Sequence, residues 1–206
     1  PTDPFLARAG LIDTLVRVDL TRVEKSKAEM LGELRAALDA SDNDLEAKLN
    51  AIRRYKTEEF IRIGLHDLGQ SIDLVPALQQ LSDLAEACLQ AALDLTLAEQ
   101  SEKLGAVPGG KFAVIGGGKL GAREIDYNSD LDLVFIYQAP EEAESAGGSH
   151  GRLPAHEFFV RVGQKLPTYL AAPTEEGIAY KIDMQLRPSG KAGPVVCSLD
   201  AYREYH

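Results

Sequence analysis

The 206-residue sequence has no tryptophan and only two cysteines, Cys88 and Cys197. It contains no Cys-x-x-Cys pair and no cluster of cysteine and histidine at zinc-ligand spacing, which excludes a structural zinc site and a disulfide framework. It also has no apolar run of eighteen residues and no basic segment leading into an apolar one. The sequence therefore predicts neither a membrane span nor a signal peptide, and we expect a soluble protein of the reducing cytoplasm.

Positive charge is scarce, because 22 Lys and Arg residues face 32 Asp and Glu residues, giving a net charge of -10. Nucleic-acid binding depends on many basic contacts to phosphates, so we expect no polynucleotide partner. An acidic chain that handles a nucleotide would use bound cations, backbone amides and a few placed basic residues. Because the sequence begins at Pro1 and stops within the helix-like segment Leu199 to His206, we expect a piece of a longer polypeptide.

The first half of the sequence has a helical pattern from Leu11 to about Lys103. Asp73 is a candidate N-cap for its clearest helix, and Asp42, Asn43 or Asp44 for the preceding one. Core packing is the expected role of the apolar positions, which recur at spacings of three and four. In the clearest helix these positions are Leu74, Leu78, Leu81, Ala85, Cys88, Ala92 and Leu95.

A cluster of helix-breaking residues from Gly105 to Lys111 separates this region from one with an extended pattern. We predict an α+β fold with a helical subdomain over 1–107 and a sheet with flanking helices over 108–206. In the second part we expect strands at Phe112–Ile115, Leu131–Tyr137 and Ile178–Arg187 and a mobile polar loop within Pro140–Leu153. We also expect a helix over about Ala155–Ala171 that Pro167 kinks or ends.

Two aspartates stand two positions apart in Ser129-Asp130-Leu131-Asp132-Leu133, at the start of a predicted strand. Side chains alternate along a strand, so both acids project to one face and both leucines to the other. Neighbouring carboxylates repel each other unless a cation lies between them. Oxygen ligands of this kind favour Mg²⁺ or Mn²⁺ over zinc.

A third acid, Asp183, lies in the alternating segment Tyr180 to Arg187 and shares a face with Arg187. If this strand neighbours the Asp130 and Asp132 strand, Asp183 completes a site of three carboxylates. Arg187 could then hold a phosphate or pair with the acids. Solvated strand ends are the alternative interpretation of a single Asp-x-Asp pair, and the third acid favours the metal site.

The segment Gly116-Gly117-Gly118-Lys119-Leu120-Gly121 follows the first predicted strand, and its backbone amides can approach a phosphate closely. It also matches the G-x-G-x-x-G pattern of dinucleotide-binding domains. Only nine residues separate Gly121 from Leu131, which leaves little room for the crossover helix of that fold. A dinucleotide-binding oxidoreductase is therefore the less favoured alternative.

Taken together, the glycine turn, the Asp-x-Asp pair and the later acid resemble the nucleotidyltransferase superfamily related to DNA polymerase beta. More specifically, the chain resembles the glutamine synthetase adenylyltransferase family over nearly its whole length. Gly117 and Ala122 depart from that family's usual glycine turn. The segments that carry the resemblance are Gly118–Gly121, Ser129–Leu133 and Asp183–Gly190, together with Arg62, Ile63, Asp67 and Leu81–Glu86 in the helical region.

The resemblance implies transfer of AMP from ATP to a tyrosine hydroxyl of glutamine synthetase, with two magnesium ions and release of pyrophosphate. It assigns Asp130, Asp132 and Asp183 as metal ligands and catalytic residues. The nucleotide-binding residues that it implies are Gly117, Gly118, Lys119, Ser129 and Arg187.

Two catalytic halves occur in this family, one adding AMP and the other removing it by phosphorolysis. Phe112-Ala113-Val114, Tyr127 and the segment Leu186–Gly190 are more similar to the adenylylating half, and the deadenylylating half is the alternative. A non-catalytic regulatory module is a second alternative. Glutamine synthetase is the implied partner, and a PII-type signalling protein is a further one.

Overall fold

The computed structural model describes residues 17–42, 44–187 and 193–205. These residues form an α+β fold with six helices and a small mixed sheet, as predicted. Predictions that involve Leu11, Asn43 or the segment 188–192 lie outside the described residues. The helices are α1 (Lys27–Ala40), α2 (Leu45–Leu68), α3 (Leu74–Leu104), α4 (Gly118–Ala122), α5 (Ala155–Ala171) and α6 (Leu199–Tyr205), and the strands are β1 (Lys111–Gly116), β2 (Leu131–Gln138), β3 (Ile182–Asp183) and β4 (Val196–Ser198).

Polar side chains fix where the first two helices begin. The Ser26 hydroxyl accepts from the Glu29 backbone amide, and the Glu29 carboxylate accepts from the Ser26 amide, which forms a capping box for α1. At α2 the Asp44 carboxylate accepts from the Ala47 amide at 3.2 Å. Asp44 is therefore the N-cap among the residues considered for this helix, and the predicted helix start is confirmed.

The apolar stripe predicted for α3 is buried in its centre, where Leu81, Ala85, Cys88 and Ala92 are each at most 1% exposed. Leu74, at the first position of the helix, is instead 66% exposed. The periodicity therefore identified the core face correctly but extended it one turn too far towards the N-terminus. The first turn of a helix can lie beyond the neighbours that would cover it.

The described chain divides into two compact units. The first contains 17–88, Arg123–Asn128 and Pro173–Ala179, and the second contains Leu89–Ala122, Ser129–Ala172 and the described residues from Tyr180 onward. Both units draw on segments from either side of residue 107. The division into 1–107 and 108–206 stays a prediction.

The interior of the first unit contains a network of paired charges. Arg62 is fully buried and donates to Glu59 and to the Gln80 side-chain oxygen at 2.7 Å. Glu59 is also paired with the Lys25 ammonium at 2.8 Å. Arg62 further donates to the Val23 carbonyl oxygen at 2.7 Å. Buried charges are tolerated only when each is paired and hydrogen-bonded, as these are.

In the second unit, β2 is the central strand of the sheet. It pairs with β1 in antiparallel fashion, and it pairs in parallel with β3 at its beginning and with β4 near its end. The antiparallel pairing of β1 and β2 is incompatible with a parallel βαβ unit at the glycine segment. This observation agrees with the spacing argument that made the dinucleotide-binding domain the less favoured alternative.

The predicted third strand is much shorter than the alternation of Ile178–Arg187 suggests, because only Ile182–Asp183 is extended and paired. Before this pair, the Tyr180 amide donates to the Leu170 carbonyl oxygen at 3.1 Å instead of to a strand. After it, the Asp183 carboxylate accepts from the Gln185 amide and begins a turn. The prediction of a strand through Arg187 was wrong, since alternation alone does not reveal a side chain that captures its own backbone.

Helix α5 has the bounds predicted for it and continues through Pro167. The preceding loop, expected to be mobile, is held to the end of α3 by hydrogen bonds from Gly147 to Leu104 and from His150 to Lys103. Glycine is needed at this contact, because a Cβ on Gly148 would lie 2.5 Å from the Lys103 carbonyl oxygen. Backbone contact of this kind ties the loop to the second unit.

Candidate functional site

The candidate site lies at the start of β2, within the second unit. Asp132 on β2 and Asp183 on β3 are paired positions of the parallel ladder. Paired residues on neighbouring strands project to the same face, and such strands lie about 4.8 Å apart. The structure therefore brings Asp132 of the Asp-x-Asp motif beside the third acid, Asp183, while Asp130 lies outside the ladder.

Burial along β2 follows the predicted alternation. Leu131 and Leu133 are fully buried, whereas Asp132 between them is only partly buried. Asp130, one residue before the strand, is exposed, and Ser129 before it is partly buried. The leucines anchor the beginning of the strand in the core and leave the acids on the accessible face.

The glycine turn packs directly against Asp132. The Gly117 amide donates to the Asp132 carbonyl oxygen at 2.8 Å, which extends the β1–β2 ladder by one bond. Gly118 has a φ of 48°, and a Cβ added there would collide with Oδ2 of Asp132. Only glycine allows both this backbone conformation and this close approach to a carboxylate.

Short helix α4 begins at Gly118, so exposed Lys119 lies immediately after the turn that contacts Asp132. The Gly121 amide closes the turn by donating to the Gly117 carbonyl oxygen at 2.8 Å. A phosphate near Asp132 would therefore meet glycine backbone and one basic side chain on the same short segment.

The Asp183 carboxylate is oriented by the turn that follows it. Its Oδ1 accepts from the Gln185 amide at 2.8 Å, and its Oδ2 accepts from the Gln185 side-chain nitrogen at 3.1 Å. Both donors belong to one residue, which fixes the plane of the carboxylate. The sequence reasoning missed the role of Gln185, although an Asp followed two residues later by a donor is the usual signal for such a turn.

Arg187 is placed by backbone carbonyl groups. Its guanidinium donates to the Met184 oxygen at 3.1 Å and to the Gly193 oxygen at 3.3 Å. These bonds link Met184, the residue after β3, to Gly193 through the Arg187 side chain. Leu186, between Met184 and Arg187, approaches the glycine turn, because a Cβ on Gly117 would lie 2.5 Å from its Cδ1 atom.

The donors at this site have the chemistry that a hard divalent cation prefers, since all three candidate ligands are carboxylates. Among residues 17–42, 44–187 and 193–205, no three His, Cys, Asp or Glu side chains are grouped closely enough to hold a metal ion. Asp132 and Asp183 share a ladder position, but both Asp183 oxygens are engaged by Gln185. The residues present fit such a cation by chemistry and strand position, and Asp183 would have to share or release a Gln185 contact to bind it.

The site and fold together define a class: an α+β protein whose small mixed sheet pairs two acids beside a glycine turn. Comparison with known proteins is more specific. A profile of the family described as glutamate-ammonia ligase adenylyltransferase matches residues 6–206. The chain belongs to this family.

Curated relatives are named bifunctional glutamine synthetase adenylyltransferase/adenylyl-removing enzyme. The one from Burkholderia pseudomallei is 39% identical over 83% of this chain and 20% of its own length. That from Mesorhizobium japonicum is 35% identical over 95% of this chain and 19% of its own length. That from Xanthomonas campestris pv. campestris (strain ATCC 33913) is 43% identical over 79% of this chain and 17% of its own length. The chain thus spans about a fifth of these relatives.

No helix in the described part of the chain is both long and apolar enough to cross a membrane. The two cysteines are free and buried, Cys88 in the first unit and Cys197 in the second. Burial raises the pKa of the Cys88 thiol to about 12. Both side chains are therefore part of the core, as the helical pattern predicted for Cys88.

Proposed function

We propose that this chain carries a nucleotidyl-transfer site that moves AMP from ATP to a tyrosine hydroxyl of glutamine synthetase. The observation that carries the proposal is the pairing of Asp132 with Asp183 on adjacent parallel strands, next to a glycine turn. This arrangement combines a place for a cation with backbone amides for a phosphate. Membership in a family whose curated relatives are named as adenylyltransferases supports the same reaction.

Asp130, Asp132 and Asp183 are the residues that would hold magnesium. When bound there, magnesium would neutralise charge on the nucleotide phosphates and lower the pKa of the attacking hydroxyl. Asp183, on the separate strand, would accept the proton from the incoming tyrosine hydroxyl. Asp130 and Asp132 would hold the cation that aligns the nucleotide phosphates for attack at the α-phosphorus.

In the glycine turn the Gly117 amide already donates to the Asp132 carbonyl oxygen, so Gly118 would supply the backbone amide to the triphosphate, with Lys119 adding a point charge and Ser129 a hydroxyl. Arg187 would donate to the phosphates through guanidinium N–H groups other than those that bond the Met184 and Gly193 carbonyl oxygens.

Removal of AMP by phosphorolysis is the second candidate reaction, since the curated relatives are named as both adenylyltransferase and adenylyl-removing enzymes. The site chemistry serves either direction, because both reactions displace a group at the phosphorus of an adenylyl unit. We favour adenylylation on the motif resemblance around Tyr127 and Leu186. We also propose glutamine synthetase as the partner, a PII-type protein as a regulator and the cytoplasm as the setting.

The test is calorimetric titration of ATP into the chain with and without magnesium, on the native sequence and on Asp132→Asn. Loss of one metal ligand is expected to weaken magnesium-dependent ATP binding by about 10- to 100-fold. Asp200→Asn is the matched control, because that side chain is 90% exposed on α6 and lines a different cavity, with Tyr137 and Gln138 at the other end of β2. Equal ATP affinity in Asp132→Asn and the native chain would refute the site.

The direction of transfer is then separated by substrate. Labelled AMP appearing on unmodified glutamine synthetase from ATP supports adenylylation, whereas phosphate-dependent release of ADP from the adenylylated protein supports the reverse reaction. Magnesium-dependent ATP binding without either activity would support the regulatory-module alternative.

A further inference from the structure

A cavity of about 380 Å³ lies in the second unit and shares no residue with the carboxylate site. Its walls come from the C-terminal part of α3, from one face of α5 and from the loop that precedes α5. Every residue that lines it is polar. The lining residues are Gln100, Lys103, His150, Arg161, Gln164 and Lys165.

Positive charge dominates this cavity, although the whole protein has a net charge of -10. Lys103 and Lys165 each place the ammonium nitrogen 2.5 Å from the same oxygen, Oε1 of Glu99. One carboxylate therefore holds two lysines at the cavity wall, and Glu102 adds a weaker attraction to Lys103. Among the described residues, the Arg161 guanidinium has neither an ion pair nor a hydrogen bond.

Gln100 is the independent sign that the cavity is built to hold a ligand. It is only 5% exposed and lines the cavity. Within the described part of the chain, its side-chain amide makes no hydrogen bond. The amide atoms are not among the fully buried unpartnered polar atoms of the described residues, so they reach the cavity space and can donate to a bound ligand.

We propose that this cavity binds the phosphate group of a small anionic molecule. A guanidinium and two ammonium groups approach from two helices, and a tetrahedral phosphate presents oxygen atoms in several directions at once. A planar carboxylate presents its acceptors in one plane only. The Gln100 amide would donate to a phosphate oxygen or pair with a neighbouring group of the same molecule.

This binding requires no metal, which distinguishes it from nucleotide binding at the carboxylate site. It therefore does not depend on the proposed function. The Glu99 carboxylate competes with the ligand for Lys103 and Lys165. Removing that charge should strengthen binding, which is an effect that a merely structural lysine pair would not produce.

The experiment is calorimetric titration of pyrophosphate into the chain in EDTA, with inorganic phosphate and succinate as parallel probes. We expect pyrophosphate to bind, and Arg161→Ala to weaken it by about tenfold or more through loss of a charged hydrogen-bond donor. Arg203→Ala is the matched control, since Arg203 is an exposed arginine on α6 outside the cavity. Asp132→Asn is expected to bind pyrophosphate as the native chain does.

Two further variants test the assignment of individual groups. Gln100→Leu keeps the side-chain volume but removes the amide, and is expected to weaken binding while the far-ultraviolet circular dichroism spectrum remains native. Glu99→Gln is expected to tighten binding several-fold, because both lysines are released towards the ligand. The proposal is overturned by unchanged affinity in Arg161→Ala, by binding of succinate in preference to pyrophosphate, or by no binding of either phosphate probe to the folded native chain.

Discussion

Asp132 and Asp183 occupy paired positions in a parallel ladder that is only two residues long. The strand on which Asp183 lies ends there, because its own carboxylate accepts from the Gln185 amide. One side chain thus ends the strand and remains beside the partner acid. This double role explains how a short, partly exposed strand positions a candidate catalytic group.

Gly118→Ala tests the contact between the glycine turn and Asp132. The added Cβ would collide with the Asp132 carboxylate, so we expect adenylyl transfer to fall on the order of 100-fold, as for other small displacements of reacting groups. The control is Gly151→Ala, because Gly151 also has a positive φ but has open space around its Cβ position. Both variants carry the strain of alanine at positive φ, about 1 kcal/mol. Similar activity in the two variants would contradict the proposed contact.

Arg62→Met tests the buried charge network of the first unit. Removing Arg62 takes away a buried hydrogen-bond donor from Glu59 and from the Gln80 side-chain oxygen. We therefore expect the free energy of unfolding to fall by about 3–5 kcal/mol. Arg54→Met, on the same helix, removes a partly exposed ion pair with Glu176 and should cost less than about 1 kcal/mol. Urea unfolding measures both values. Equal losses would show that burial does not determine the effect.

Tyr127→Phe removes one hydrogen bond and keeps the ring. The Tyr127 hydroxyl donates to Asp67 at 3.0 Å, so we expect the free energy of unfolding to fall by about 1 kcal/mol. The edge-to-face contact of the ring with Phe60 is kept. Burial and then the Asp67 bond raise the pKa of Tyr127 to about 12. The stabilisation from this shift is therefore complete below pH 10 and is lost as the pH rises through about 12. Thermal unfolding of Tyr127→Phe and of the exposed control Tyr205→Phe between pH 10 and about 12 measures this loss of stabilisation. An equal effect in both variants would contradict the prediction.

The hydrogen bonds of Glu99 predict that the stability of the protein falls in acid. Burial opposes its ionisation, but hydrogen bonds from Lys103, Lys165 and Tyr169 prevail and lower the pKa of Glu99 to about 2. Its contribution is therefore present above the unfolded-state pKa of 4.5 and is lost as the pH falls towards 2. At pH 7 we expect Glu99→Gln to be less stable by about 2 kcal/mol.

Urea unfolding of the native chain and of Glu99→Gln at several pH values checks this expectation. The difference between the two should shrink steadily between pH 5 and 2, because the native carboxylate becomes neutral there. Glu204→Gln is a control for an exposed carboxylate and should show little change. A difference that stays constant with pH would show that the three hydrogen bonds do not favour the ionised form of Glu99.

Much of the local structure was predictable because it depends on residues close in sequence. Helix α5 was predicted with its observed bounds, since its buried positions Phe158, Val162, Leu166 and Leu170 follow the helical period. Strand β2 was predicted within one residue for the corresponding reason, a run of apolar and β-branched residues. The leucines flanking Asp132 are buried as alternation requires.

Other features depended on contacts between distant parts of the chain. The sequence alone determined the helical and extended segments, the acids at Asp130, Asp132 and Asp183, and the glycines beside them, because periodicity, side-chain alternation and composition are local properties. Only the tertiary structure decided that β2 and β3 are parallel and in the register that pairs two of those acids. It also decided that Gln100 and Arg161, 61 positions apart, line one cavity, because packing and strand pairing join groups that the sequence separates.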